Sequence, residues 1–151
     1  MFVSREHPEL VPLFAAFSGC HNHVGAAGEA LAAWMFERAG YRATRTDARS
    51  KAGDLKLVTP DGEIKRVEVK TARRDRTGAY QFCLRKGTKT DVAHSEFVVL
   101  LCVEPGGNVV PFVVPTEVLG QRKQLKLTGS LRCREGMCRC YRQRGEALVL
   151  P

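Results

Sequence analysis

Two stretches in the middle of the chain alternate apolar and polar residues and are joined by a turn. Residues 54–58, Asp-Leu-Lys-Leu-Val, alternate as a half-buried strand does. Residues 59–63 supply proline, aspartate and glycine where a tight turn needs them, and residues 64–71 return as a second strand. Antiparallel pairing of the two strands predicts that Asp54 lies at the same sheet edge as Glu68 and Lys70.

The remaining apolar pattern predicts helices around a sheet. Residues 23–39 have helical spacing that ends at Gly40, with Trp34 and Met35 expected in the core. Pro111 indicates that its strand lies at a sheet edge or carries a bulge. The other predicted elements are a short helix within 9–17, a strand at 80–84 with Tyr80, Phe82 and Leu84 on one face, a central buried strand at 97–103, its partner at 109–114, and a short helix at 117–119.

Composition adds a polyanionic partner to this picture. The chain has 151 residues, with 24 Lys and Arg against 16 Asp and Glu, so its formal net charge is +8. A basic balance of this size favours nucleic acid as a partner, and the length predicts one domain over 1–151. No apolar stretch is long enough to span a membrane, and the mixed charge of residues 1–7 argues against a signal peptide. We therefore expect a cytoplasmic protein with reduced cysteines.

The charged residues of the hairpin predict a hydrolytic site. Side chains alternate along a strand, so Glu68 and Lys70 share one face, while Val67 and Val69 face the core. Carboxylates suit Mg²⁺ or Mn²⁺, which bind phosphate oxygens and activate water, and a lysine adds positive charge at the reacting phosphate. Taken one by one, these residues also fit a solvated face with a weak ion pair, and Asp54 fits an ordinary turn.

The set Asp54 and Glu68-Val69-Lys70, preceded by the helix with Gly28-Glu29, resembles the PD-(D/E)XK nuclease superfamily over residues 23–120. Gly53 stands where the family name has proline. This Gly-Asp form looks like archaeal-type Holliday-junction resolvases and small phage and homing endonucleases.

The resemblance implies an α/β fold, with a restriction-endonuclease-like mixed sheet of four to five strands flanked by helices. It also implies a magnesium-dependent endodeoxyribonuclease. Asp54, Glu68 and the Val69 carbonyl would hold the metal ion, Lys70 would serve the nucleophilic water, and Glu29 would complete the acidic cluster. Cutting both strands of a duplex or junction would require a homodimer.

Residues on both sides of the hairpin are candidates for contact with DNA. Arginine can donate twice to a phosphate, and such residues lie just before Asp54 and just after Lys70. Those before Asp54 belong to a basic linking segment at 41–51, and those after Lys70 are predicted to lie in a loop. Charges on a solvated loop are the alternative explanation. The candidates are Arg49, Ser50, Lys51, Arg73, Arg74, Arg76 and Gln81.

Residues 121–151 have a different composition and are predicted to form a basic C-terminal extension that contacts DNA or forms a dimer. Cys133, Cys138 and Cys140 lie within eight residues, but they lack paired Cys-X-X-Cys spacing, so a structural zinc is the less favoured interpretation. His21 and His23 do not form a His-Asn-His nuclease motif, since its downstream partners are missing. Three functions stay open: junction cleavage, site-specific double-strand cleavage, and DNA binding without catalysis.

Overall fold

A computed structural model describes residues 7–46, 53–86, 89–90, 95–128, 141–143 and 145–151. Its α-helices are α1 (Val11–Ala16), which follows a 3-10 turn at Pro8–Leu10, α2 (His21–Arg38) and α3 (Thr116–Leu119). Its strands are β1 (Arg42–Arg45), β2 (Leu55–Val58), β3 (Ile64–Arg73), β4 (Tyr80–Cys83), β5 (Arg85–Lys86), β6 (Lys89–Thr90), β7 (Phe97–Val103), β8 (Val109–Pro115) and β9 (Gln124–Leu127).

Five of these strands form one mixed sheet in the order β1-β2-β3-β7-β8. The β3–β7 pair is parallel and the other neighbouring pairs are antiparallel. β7 is buried from Val98 to Val103, as its continuous apolar sequence predicts. β8 lies at the edge, where Pro111 removes a hydrogen bond at least cost. The predicted fold class, a mixed sheet of four to five strands flanked by helices, is confirmed.

The predicted hairpin is formed by β2 and β3. Leu55 is opposite Val67 and Val58 is opposite Ile64, with a turn closed by the hydrogen bond from the Thr59 N–H to the Glu63 carbonyl, 2.8 Å. On its other edge β3 pairs with β7, starting at Val67 and continuing to Arg73. Val67 is therefore the residue at which β3 passes from the β2 pairing to the β7 pairing.

Each face of the sheet has its own apolar cluster. On the α2 side, Leu31 and Met35 pack with Val67 and Val69 of β3. The opposite side is formed by residues of β4, β7, β8, α3 and β9, including Tyr80, Phe82, Leu100, Phe112 and Leu127. Trp34, predicted in the core, is only partly buried and packs against the first cluster.

The structure differs from the sequence prediction in three strands. β1 lies in the segment predicted as a link. The sequence does not reveal this strand, because Arg-Ala-Thr-Arg has no apolar alternation and its side chains are mostly exposed. β3 continues to Arg73 through residues predicted as a loop, since β7 extends beside it. β4 has Tyr80 and Phe82 on one face as predicted, and that face is buried, but the strand pairs with β9 in a separate two-stranded sheet.

Parts of the C-terminal segment belong to the folded domain. Besides β9, Leu148 is buried in the α2-side cluster and its N–H donates to the Met35 carbonyl at 3.1 Å. Cys133, Cys138 and Cys140 lie outside the described residues, so the DNA-binding or dimer-forming role of the extension stays a prediction. Among the described helices, none has the length and apolar character needed to cross a membrane.

Candidate functional site

The position of Asp54 depends on the glycine before it. Gly53 has a φ of +87°, which disfavours residues with a Cβ, and an added Cβ would lie 2.9 Å from the Val67 carbonyl oxygen. This close approach lets the Asp54 N–H donate to that carbonyl at 2.9 Å. On the other side, the Thr46 N–H donates to the Asp54 carbonyl at 2.9 Å. The backbone of Asp54 is thereby fixed between the end of β1 and the middle of β3.

The carboxylate of Asp54 takes the place of a β2 residue beside β3. Its Oδ2 accepts a hydrogen bond from the Val69 N–H at 2.8 Å, two residues past the last β2–β3 pair at Val67. The N–H and C=O of one residue point to the same side of an extended strand. The Val69 carbonyl therefore points to the edge at which the Asp54 carboxylate lies, which suits its predicted role as a metal ligand.

Burial is the largest influence on the ionisation of Asp54. It raises the pKa of this carboxyl, while the hydrogen bond from Val69 opposes the shift. The nearby Glu29 charge also raises the pKa, and Lys70 and Arg45 lower it. Asp54, Glu29, Lys70 and Arg45 are thus close enough to interact electrostatically.

Glu29 reaches this site because α2 packs closely on β3. A Cβ added to Gly28 would lie 1.9 Å from the Thr71 Oγ1, so only glycine allows the helix to approach so near. Glu29 follows directly, and its Oε2 accepts a hydrogen bond from the Arg45 Nη2 at 2.7 Å. The predicted Gly-Glu helix therefore carries its glutamate to the edge where Asp54 lies.

Glu68 and Lys70 form an ion pair along β3. The Lys70 Nζ lies 3.2 Å from the Glu68 Oε1, and the two side chains are only 21% and 12% exposed. Val69, between them, and Val67, before Glu68, are buried, as the alternation predicts. Lys70 thus pairs with Glu68 and also lies close enough to Asp54 to lower the pKa of its carboxyl.

The donor set is suited to a hard divalent cation, but its members are not gathered around one point. The described parts of the chain contain no group of three or more His, Cys, Asp or Glu placed to hold a metal ion. Glu29 contacts Arg45 and Glu68 contacts Lys70, so each glutamate has a basic neighbour where a cation would bind. Convergence of Asp54, Glu68 and Glu29 on one ion therefore stays a prediction, although carboxylate and carbonyl oxygens are the ligands that Mg²⁺ and Mn²⁺ prefer.

The arginines after Lys70 have structural contacts that the sequence did not indicate. Arg73 donates through Nη1 to the carbonyls of Phe17 at 3.3 Å and Gly19 at 3.1 Å, and so holds the link between α1 and α2. The Arg74 guanidinium carbon lies 5.8 Å from the centroid of the Tyr80 ring. Both arginines line a groove of about 320 Å³ beside Thr71.

The turn after β3 is organised by Asp75. Its Oδ1 accepts hydrogen bonds from the Thr77 N–H at 2.8 Å, the Thr77 hydroxyl at 2.6 Å and the Ala79 N–H at 3.0 Å. These bonds lower the pKa of Asp75, and the bond from the Thr77 hydroxyl has the largest effect on it. Gln81 donates to the Asp75 Oδ2 at 2.7 Å, so this predicted DNA contact braces the turn that carries Arg76.

Two residues of the site, Arg45 and Thr71, are not identified by the sequence pattern. The sequence places Arg45 only in the basic linking segment, because a strand without apolar side chains gives no sign that it borders Asp54. Thr71 gave no sign either, since only the packing of Gly28 shows its importance. Arg49, Ser50 and Lys51 lie outside the described residues, and their phosphate contact stays a prediction.

Comparison with known proteins gives a likeness in structure. The fold is similar to the solved structure of a bacterial homing endonuclease, I-Ssp6803I, with a TM-score of 0.64 and 19% sequence identity. The match covers 82% of this chain and 89% of that one. Neither a protein-family profile nor a curated protein sequence matches this chain. At this identity the likeness establishes the fold alone.

Proposed function

We propose that the protein is a metal-dependent DNA endonuclease of the PD-(D/E)XK type, active at Asp54, Glu68 and Lys70. The observation that carries the proposal is the partly buried Asp54 carboxylate, which accepts a hydrogen bond from the Val69 N–H and interacts electrostatically with Glu29 and Lys70. A partly desolvated acidic group beside a basic one, where the pairing of a strand ends, is typical of a catalytic centre. The fold shared with a homing endonuclease supports the same proposal.

The chain offers a role for each of these groups. Asp54, Glu68 and the Val69 carbonyl would hold Mg²⁺ or Mn²⁺, with Glu29 completing the set, and the ion supplies charge neutralisation and water activation when bound. Lys70 orients the attacking water through its Nζ and adds positive charge where the phosphate oxygens become more negative. Asp54 keeps its place through the Val69 N–H, which leaves its second carboxylate oxygen for a ligand.

The substrate we favour is duplex DNA cut in a site-specific manner, because the similar structure is that of a homing endonuclease. A homodimer would supply the two centres that a double-strand break requires. Cleavage of four-way junctions is the second substrate class that the Gly53-Asp54 form suggests. The net charge of +8 supports binding of either DNA.

Metal-dependent cleavage of a substrate panel tests the proposal. Supercoiled plasmid, linear duplex and a four-way junction are incubated with the protein and Mg²⁺, Mn²⁺ or EDTA. We expect nicking or cutting with either metal ion and none in EDTA. Asp54→Asn should abolish this activity but bind DNA as well as the wild type or better, because it removes negative charge near the phosphates.

A matched control is Asp61→Asn, which changes the same chemical group at the opposite end of β2 and should leave cleavage unchanged. DNA binding by the wild type without cleavage of any substrate in either metal ion would instead favour a binding module. Cleavage by Asp54→Asn at the wild-type rate would show that the centre lies elsewhere.

A further inference from the structure

We propose that Arg45 is a phosphate-binding residue which, in the free protein, occupies the place of the metal ion at Glu29. Binding of the metal ion would release its guanidinium to a phosphate of the substrate. This inference rests on the proposed function and adds a residue that couples metal binding to substrate binding.

The backbone around Arg45 is fixed to the site itself. Arg45 is the last residue of β1 and lies opposite Leu55, the residue after Asp54. The next residue, Thr46, donates through its N–H to the Asp54 carbonyl at 2.9 Å and through its hydroxyl to the Gly53 carbonyl. Arg45 is therefore tied through its backbone to the residues that place the Asp54 carboxylate.

In the free protein that guanidinium offsets the negative charges of Glu29 and Asp54. Its Nη2 lies 2.7 Å from the Glu29 Oε2, and its charge lowers the pKa of Asp54 while Glu29 raises it. A divalent ion that coordinated this Oε2 would displace the guanidinium, and it is repelled by the same positive charge. Metal binding through this oxygen therefore requires that the Arg45–Glu29 pair opens.

The released side chain is placed to contact DNA. Arg45 is 49% exposed and Glu29 is 27% exposed, so the pair lies at the surface, where a polyanion can reach it. Arginine has a planar fork that binds a phosphate through two hydrogen bonds. After the exchange, the metal ion compensates the charge of Glu29 and the phosphate compensates the charge of Arg45. Binding of the metal ion and binding of DNA should therefore strengthen each other.

The experiment measures metal binding and DNA binding separately. Mn²⁺ binding to the full-length protein is followed by calorimetry without DNA, and duplex binding is measured in Ca²⁺. Arg45→Gln should bind Mn²⁺ about two- to fivefold more tightly, the size expected from losing one half-exposed ion pair, and should bind DNA more weakly. These opposite changes are what a merely structural ion pair would not produce.

Arg42→Gln is the matched control. Arg42 lies at the other end of β1, opposite Val58, so the substitution removes the same charge from the same strand away from Glu29. It should leave Mn²⁺ affinity unchanged. In a Glu29→Gln background, most of the gain in Mn²⁺ affinity from Arg45→Gln should disappear, because the ion pair is already broken.

The outcomes separate the inference from the proposed function. Mn²⁺ binding that depends on Asp54 but is unchanged or weakened in Arg45→Gln overturns only the role of Arg45. Mn²⁺ binding that Asp54→Asn does not weaken, or no Mn²⁺ binding by the wild type, overturns the proposed site and the inference with it. Circular dichroism of each variant identifies any loss that arises from unfolding.

Discussion

The two halves of β3 differ in what lies along one edge of the strand. From Ile64 to Val67 this edge is paired with the backbone of β2. After Val67 the β2 pairing has ended, and the Val69 N–H is bound by the side chain of Asp54 instead. The strand continues because β7 supports its other edge as far as Arg73. The Asp54 carboxylate thus lies where the pairing on one edge of β3 ends while the pairing on the other edge continues.

The same kind of ion pair has a different environment in each half. The Lys65 Nζ lies 3.2 Å from the Glu63 Oε2, and the lysine and glutamate side chains are 28% and 62% exposed. The Lys70 Nζ lies at the same distance, 3.2 Å, from the Glu68 Oε1, but here the lysine and glutamate side chains are 21% and 12% exposed. An exposed pair is screened by water and contributes little to stability, whereas a charge held in a half-buried site acts more strongly on a substrate. We therefore expect function to depend on the second half alone.

Substitution of the two lysines is the test with the largest expected effect. Lys70→Ala should lower the rate of metal-dependent cleavage by about 10²–10³-fold, the usual cost of losing one positioned electrostatic group. Lys65→Ala should leave the rate close to that of the wild type. Single-turnover cleavage at saturating enzyme measures both, and equal losses in the two variants would contradict the division of β3.

The junction between the halves depends on Gly53, and alanine there should destabilise the fold. The residue has a φ of +87° and a backbone oxygen 2.9 Å from the added Cβ, so we expect a loss of about 2–4 kcal/mol, from left-handed strain plus the clash. Urea unfolding measures the loss.

Gly62→Ala separates these two causes. Gly62 has a φ of +93° but nothing within 4 Å of an added Cβ, so it has the strain without the clash. It should cost about 1 kcal/mol. A loss at Gly62 as large as that at Gly53 would show that the approach to Val67 contributes nothing.

The contrast between the halves also explains how far the sequence could predict the molecule. Alternation in residues 54–58 and the turn at 59–63 predict the hairpin, and antiparallel pairing then places Asp54, Glu68 and Lys70 at the same end of it. The parallel pairing with β7 is a contact between residues about thirty positions apart, and no local pattern encodes it.

Side-chain partners were predicted less well than strands. The Arg73 side chain contacts carbonyls at Phe17 and Gly19, more than fifty residues away, so its sequence neighbours indicated only a basic loop. Arg45 was similarly hidden, since it belongs to an edge strand with no apolar residue facing the core except a half-buried alanine. Charged residues show their partners only after the fold is known.

The approach of α2 to the second half of β3 gives the third test. Gly28→Ala places a Cβ 1.9 Å from the Thr71 Oγ1 and should cost about 1–3 kcal/mol, because the helix must move away. Gly25→Ala has nothing within 4 Å and should be neutral or stabilising by up to about 1 kcal/mol. Thr71→Ala combined with Gly28→Ala should recover part of the loss in urea unfolding, and a strictly additive pair would contradict this contact.

The smallest expected effect is a difference in pH dependence between the two ends of β2. Burial raises the pKa of Asp54, whereas the hydrogen bond from the Thr59 hydroxyl lowers that of Asp61. A raised carboxyl pKa means that the folded state binds more protons than the unfolded state, so the contribution of Asp54 to stability falls as pH rises from its unfolded value through its folded value. For Asp61 the contribution is present above the unfolded pKa and is lost as pH falls through the folded pKa.

Unfolding in urea and EDTA from pH 3 to pH 8 checks both signs. Relative to the wild type, Asp54→Asn should become more stable as pH rises through this window, because Asn keeps an oxygen for the Val69 N–H without a partly desolvated charge. Asp61→Asn should become less stable, relative to the wild type, as pH rises through the same window. If the two variants shift in the same direction, the carboxylate at the open edge of β3 is no more desolvated than one in an exposed turn, and the physical distinction between the halves is lost.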